Sequence, residues 1–261
     1  MKTIRKMGFS LVELLIVLAI LVVLAGVLFP VLYQARLKTW QAVCASNQRQ
    51  NGMALGLYLQ DYNETYPNFR FQPLGSQWPL GSQTAGDMDK NSWRSVIAPY
   101  QRGSEGMVCP ANPDARTPSM DPKFKISYAA NMALNPRDYP TLPPALDATG
   151  SGLFGKDLSP GVKAASVVQP AECIAVVEIF RVPDSIFVVD ISTDNDRDFR
   201  VYADCLFTGH FGLTNYLFAD GHVKALKPTA TYHGDEVNYW YRDATPLGAE
   251  ARITLAEAAA R

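Results

Sequence analysis

Two small groups of ionisable residues have types and spacings that can hold a metal ion. His210, Asp220 and His222 offer two imidazoles and a carboxylate, a set suited to a divalent metal. Asp194, Asp196 and Asp198 stand at alternate positions, as the carboxylates that open a calcium loop do. Each group also has a plainer reading. Asp220 precedes Gly221, ordinary turn chemistry, with His210 hydrogen-bonded near that turn. The acidic stretch has Phe199 where a calcium loop wants glycine, no closing glutamate, and Arg197 diluting its charge. A solvated loop suffices there, so the sequence requires no cofactor, and calcium is the ion its spacing would admit.

Catalysis finds little support. No nucleophile elbow, phosphate-cradling glycine loop, H-E-x-x-H pair or dinucleotide fingerprint occurs. Three histidines are present, and no nucleophile stands beside them at a recognisable spacing. The expectation is that the chain is not an enzyme. A net charge of −1, with acids and bases interspersed, leaves no footprint for nucleic acid.

One more carboxylate is out of place, and it points to the element that organises the chain. Glu13 stands near the front of an apolar run that follows Lys2, Arg5 and Lys6; from Leu14 to Leu32 that run holds no charge. At ~1.5 Å per residue these positions span about 29 Å, close to the ~30 Å hydrocarbon core of a bilayer. A carboxylate at the centre of such a helix costs on the order of 2.5–3.5 kcal/mol, and less near its ends, so Glu13 calls for a partner. A secretory signal peptide would share the basic start and could be cut after Val23-Leu24-Ala25, but its core is shorter and would not hold Glu13. A lipoprotein anchor would need a cysteine where Val27 stands.

Gly8-Phe9-Ser10-Leu11-Val12-Glu13-Leu14-Leu15, behind a basic leader and ahead of a long apolar run, resembles the processing signal of type IV prepilins and type II secretion pseudopilins. The resemblance implies that a prepilin peptidase cuts between Gly8 and Phe9 and methylates the new amine on Phe9. It implies that Glu13 then faces the Phe9 amine of a neighbouring subunit, since a buried ion is tolerable when paired. The implied partners are the peptidase, other pilin or pseudopilin subunits, inner-membrane assembly machinery and membrane lipid. The implied location is a single pass of the inner membrane with the C-terminal domain extracytoplasmic, and a filament in the periplasm or on the cell surface. His210, nine residues and then Asp220-Gly221 resembles the H-X9-DG motif near the end of many prepilin-like proteins. The function implied is a structural subunit of a type IV pilus or a type II secretion pseudopilus. The alternative is a membrane-anchored module that binds a ligand such as a carbohydrate and does not assemble.

The resemblance implies that residues 1–8 are a leader and 9–30 the membrane and assembly helix. The remaining elements are read from the sequence pattern: 31–62 as the soluble continuation of that helix, and 63–261 as a globular α+β domain with an antiparallel sheet. Pro30 lacks an N–H and crowds the carbonyl of Gly26, itself a weak helix former, so residues 26–30 are expected to kink or melt. Beyond them Trp40, Cys44, Asn47, Asn51, Leu55, Tyr58 and Tyr62 form one stripe, whose asparagines need hydrogen-bond partners. Asn63 and Pro67 end the helix, and Gly52 and Gly56 permit close approach of another element.

Short pieces follow: a helix near 92–100 burying Trp93 and Ile97, an extended segment at 107–110, a strand near 126–131, and a loop over 135–161 rich in proline and glycine. Strands are expected at 172–180, 185–191 and 199–207. Asp220-Gly221 between alternating apolar residues predicts a type I′ hairpin that pairs Ala219 with His222, Phe218 with Val223 and Tyr216 with Ala225. Tyr216, Phe218, Val223 and Ala225 would then share the face turned to the 31–62 helix. A short helix closes the chain. Four cysteines allow three complete pairings. The expected one joins Cys44 to Cys109, where the first soluble helix meets the following loop, and Cys173 to Cys205 on neighbouring strands.

Overall fold

The computed structural model describes residues 10–68, 93–101, 103–112, 127–131, 152–154, 161–179, 206–233 and 237–242, with 252, 255–257, 259 and 260 near the C-terminus. Gly8, Phe9, the Asp194, Asp196 and Asp198 set, Cys205 and the strand expected at 185–191 lie outside the described residues.

Helix α1 runs from Leu11 to Asp61. It belongs to two compact units, one ending at Thr39 and one beginning at Trp40. In the first unit the large apolar side chains from Leu11 to Tyr33 are exposed, and α1 is long and apolar enough to cross a membrane. The helix is unbroken across Gly26 and Pro30. The melting expected there is absent, because one missing N–H removes a single hydrogen bond from a long ladder. At the other end Asn63 and Glu64 adopt φ of 51° and 53°, and the Glu64 amide donates to the Leu59 carbonyl at 2.8 Å. Asparagine tolerates this left-handed turn, which satisfies a carbonyl that the helix leaves open.

The second unit is built on a four-stranded antiparallel sheet in the order β1 (Tyr128–Ala130), β2 (Ile174–Glu178), β3 (Thr214–Phe218), β4 (Val223–Leu226). Its two faces pack into two apolar clusters. One gathers Leu217, Val176, Tyr128 and Ala130 with Cys44, Ala54, Leu55 and Tyr58 of α1 and with Trp93 and Ile97 of the short helix α2 (Trp93–Ile97). The other holds Tyr216, Phe218, Ile174 and Val177 with Trp240, Tyr241 and Leu255. Both faces being covered, all five residues of β3 are buried, while β4, at the sheet edge, is half-buried and exposed. A register shift between Ile174 and Val176 in β2 puts Ala175 and Val176 in the same cluster, the signature of a bulge.

The β3–β4 hairpin corrects the expected register by one residue. Leu217 pairs with Val223, Tyr216 with Lys224 and Asn215 with Ala225. A type I′ turn needs positive φ at both central residues, yet here only Gly221 has it, at 88°. The Gly221 amide donates to the Phe218 carbonyl, and the Phe218 amide to the His222 carbonyl, each at 2.9 Å. This is a type I turn closed by a glycine bulge, in which Asp-Gly occupies the last two positions. A slip of one residue exchanges the faces of a strand. Leu217, with Val223 beside it, therefore meets α1, and Tyr216 and Phe218 point to the opposite cluster.

Three smaller differences concern the flanks. Met107 ends a 3-10 turn (Ser104–Met107) where an extended segment was expected. Tyr62 is exposed while Gln48, off the expected stripe, is buried. A two-stranded sheet of β5 (Tyr232–His233) and β6 (Val237–Asn238) has only two residues per strand, too few for periodicity to reveal.

Candidate functional sites

The first site lies at the start of α1. Ser10 precedes the helix, and its backbone amide donates to Glu13 Oε2 at 2.9 Å. A glutamate three residues into a helix that reaches back to the entering amide is half of a capping box. Glu13 thus has a local partner within its own chain.

The second site is buried where α1 meets the sheet. Cys44 of α1 and Cys109 are joined by a disulfide with Cα atoms 5.0 Å apart. The bond closes a loop with a sequence separation of 65, worth about 4 kcal/mol in the chain-entropy account. Polar side chains of α1 fasten the same region. Asn47 Nδ2 donates to the Val108 carbonyl at 2.8 Å, Asn51 Nδ2 to the Gly106 carbonyl at 3.2 Å, and Gln48 Nε2 to the Asn215 carbonyl at 2.9 Å. These bonds answer the question the two asparagines posed: both hold the backbone beside Cys109, and Gln48 holds β3.

His210 joins this cluster. It is fully buried, and its Nε2 lies 3.3 Å from both carboxylate oxygens of Glu178 and 3.5 Å from Cys109 Sγ. Glu178 Oε2 also accepts the Asn215 amide at 2.9 Å, and the His210 ring stands edge-on to Phe207 at 5.1 Å. Glu178 was the residue to miss in the sequence. Its only signal there is a carboxylate closing the apolar run Ile174–Val177, and a buried carboxylate needs a partner. The arrangement is not a catalytic relay. A cysteine nucleophile needs its base to use one ring nitrogen for the thiol and the other for the orienting acid. Here one nitrogen faces both, Nδ1 has no hydrogen-bond partner among the described residues, and the sulfur is already oxidised.

His210 is not gathered with Asp220 and His222, which corrects the proposed metal triple. Among the described residues, the group of His, Cys, Asp or Glu whose ligand atoms converge is Cys44, Cys109, Glu178 and His210. Asp220 Oδ1 instead accepts the His222 amide at 3.1 Å and lies 2.5 Å from His222 Nδ1, at a partly exposed hairpin tip. The His222 ring stacks on Phe218 with centroids 4.4 Å apart. Asp220 therefore serves the turn. Cys173 is buried just ahead of β2, and its expected partner Cys205 lies outside the described residues.

Residues 6–29 match the family description of the prokaryotic N-terminal methylation motif. No curated protein and no solved structure gives a significant match to the chain. The motif supports a pilin-type substrate of a prepilin peptidase, a structural subunit in preference to an enzyme, and a membrane-anchored single-pass chain.

Proposed function

We propose that this chain is a filament subunit of a type IV pilus or a type II secretion pseudopilus, cut between Gly8 and Phe9 and methylated on the Phe9 amine. The observation that carries the reading is the methylation motif at residues 6–29, set on a helix whose large apolar side chains from Leu11 to Tyr33 are exposed. In the membrane those side chains face lipid; in a filament they pack against the same helix of neighbouring subunits. Glu13 then supplies the counter-charge for a neighbour's methylated amine, and residues 26–30 supply the place where the packed helix bends. The sheet domain lies outside the filament core, held to α1 by the disulfide and the three amide side chains. The H-X9-DG pattern has a structural role in this reading: His210 pins Glu178, and Asp220-Gly221 shapes the hairpin.

Processing is the direct test. Intact-mass and N-terminal analysis of membrane-derived protein is expected to find a chain beginning at Phe9 and carrying one methyl group. Replacing Gly8 with a bulky residue is expected to leave the precursor uncut. A mature chain beginning at Gly26 would overturn the proposal in favour of an ordinary signal peptide.

A further inference from the structure

Four ligand-bearing side chains meet in the core of the sheet domain, and the filament role uses only their ability to hold the fold together. Cys44 Sγ, Cys109 Sγ, the Glu178 carboxylate and a His210 ring nitrogen all lie within 4.8 Å of one another, and all four residues are fully or almost fully buried. Glu178 finds hydrogen-bond donors in His210 Nε2 and the Asn215 amide. We propose that when the Cys44–Cys109 disulfide is reduced, Cys44, Cys109, His210 and Glu178 form a four-ligand site for a zinc-class divalent ion.

The donor set fits that ion. Two thiolates, an imidazole and a carboxylate are borderline-soft ligands of the type that tetrahedral zinc takes. Bond lengths of ~2.3 Å to sulfur and ~2.0–2.2 Å to nitrogen and oxygen place such donors roughly 3.3–3.8 Å apart. His210 Nε2 already stands 3.3 Å from Glu178 and 3.5 Å from Cys109 Sγ. The main change required is between the sulfurs, which must part from bonding distance to the roughly 3.8 Å of a tetrahedral edge. Rotation of the freed Cys44 and Cys109 side chains about their Cα–Cβ bonds can supply that movement while Asn47 and Asn51 keep hold of the backbone beside Cys109.

The chemistry balances. Reduction by a dithiol or phosphine gives the disulfide two electrons and two protons and leaves two thiols. Binding one divalent ion displaces those two protons to solvent; the His210 proton moves from Nε2 to Nδ1, and the ion then bonds two thiolates, the Glu178 carboxylate and Nε2 of neutral His210. The oxidised chain cannot bind in this way, because both sulfurs are consumed by their mutual bond. Disulfide and metal site are thus exclusive states of one pocket: the disulfide ties α1 to the segment around Cys109, and the ion would add β2 through Glu178 and the turn before β3 through His210.

The test uses the full chain in detergent. It is reduced with a phosphine, freed of reductant without oxygen, and titrated with Co²⁺ as a spectroscopic stand-in for zinc. The expected result is one equivalent bound, with thiolate-to-cobalt charge-transfer absorption and the strong visible bands of a tetrahedral site, all abolished by excess Zn²⁺. The oxidised chain and the Cys44→Ser/Cys109→Ser variant are expected to show none of this. Glu178→Gln keeps an acceptor for the Asn215 amide, and with His210→Gln it is expected to weaken binding about a hundredfold. Two results would overturn the proposal. One is no Co²⁺ uptake by the reduced chain, whether or not the pocket persists without its disulfide. The other is uptake that neither Glu178→Gln nor His210→Gln changes, which would reduce the site to a plain dithiol.

Discussion

Leu217 of β3 occupies the space over Gly52 of α1, so that a Cβ at position 52 would stand 2.8 Å from Leu217 Cδ1 and 3.4 Å from the Gly221 carbonyl oxygen. The missing side chain lets the β3–β4 hairpin lie against the helix. Gly56, one turn on, has nothing within 4 Å of the same position. The two glycines therefore predict opposite signs. Gly56→Ala gains helix propensity and should stabilise by up to ~1 kcal/mol. Gly52→Ala gains the same, but forces a fully buried Leu217 to move, an overpacking cost of ~1–3 kcal/mol, and should destabilise on balance. Denaturant midpoints of the two variants decide it; equal shifts would mean that the helix and hairpin do not pack this closely.

The hairpin turn gives the second prediction. Gly221 has φ of 88°, and nothing lies within 4 Å of where a Cβ would stand, so Gly221→Ala should cost ~1–2 kcal/mol through backbone strain alone. Asp220 has no such φ, so Asp220→Gly should also destabilise, by losing the bond to the His222 amide and by loosening the unfolded chain. A type I′ turn would reverse the second result, since glycine would relieve a left-handed aspartate there. Stability measurements on both variants separate the two turns.

How much of this was legible beforehand differs by element. The path of α1 could be read because an uncharged run and a stripe at helical spacing are local signals. The hairpin could be placed but its register could not. Asp-Gly serves a type I′ turn and a bulged type I turn alike, and here the choice comes with Leu217 over Gly52 and Tyr216 edge-on to Trp240 at 6.1 Å. The buried cluster was hidden for another reason. Glu178 and His210 are 32 residues apart, on elements whose adjacency follows from the order of the sheet. The sequence pattern drew His210 toward Asp220 and His222, which are nearer along the chain and face a different environment.

Alkaline pH is expected to unfold the sheet domain steeply. Burial raises the phenol pKa of Tyr66, Tyr128 and Tyr216 well above the usual value near 10. Tyr100 is pushed up to about 12, chiefly by the hydrogen bond that its hydroxyl donates to Asp61 at 2.6 Å. An unfolded chain loses these protons near pH 10 while the folded one keeps them. Their stabilisation is therefore complete below pH ~10 and falls as pH rises through the folded values. Tyrosinate absorbance and far-ultraviolet circular dichroism, followed together, should show the exposed tyrosines, Tyr33 and Tyr62 among them, ionising first and Tyr66, Tyr128 and Tyr216 only as the domain unfolds. Ionisation of the full complement of tyrosines before loss of structure would contradict the burial of those three side chains.

Glu13 gives the prediction that separates assembly from simple anchoring, and the contact to the Ser10 amide sharpens it. That contact alone could account for a glutamate at the helix start, with no neighbour involved. Glu13→Gln keeps an oxygen acceptor for the amide and removes the charge, whereas Glu13→Leu removes both. If capping is the whole role, the glutamine variant should behave as the parent and the leucine variant should lose ~1 kcal/mol of helix stability or less. If Glu13 is the counter-ion of a neighbour's methylated amine, both variants leave that amine unpaired in hydrocarbon. The loss is then on the order of 3–5 kcal/mol per desolvated contact and repeats at every subunit. Membrane insertion should be unharmed, since removing a carboxylate from the span lowers its transfer cost. The expected outcome is normal abundance, cleavage after Gly8 and a folded sheet domain in both variants, with no filaments recovered by shearing and no secretion. Filaments in the glutamine variant would reduce Glu13 to a helix cap, and an anchored binding module would become the better account of the chain.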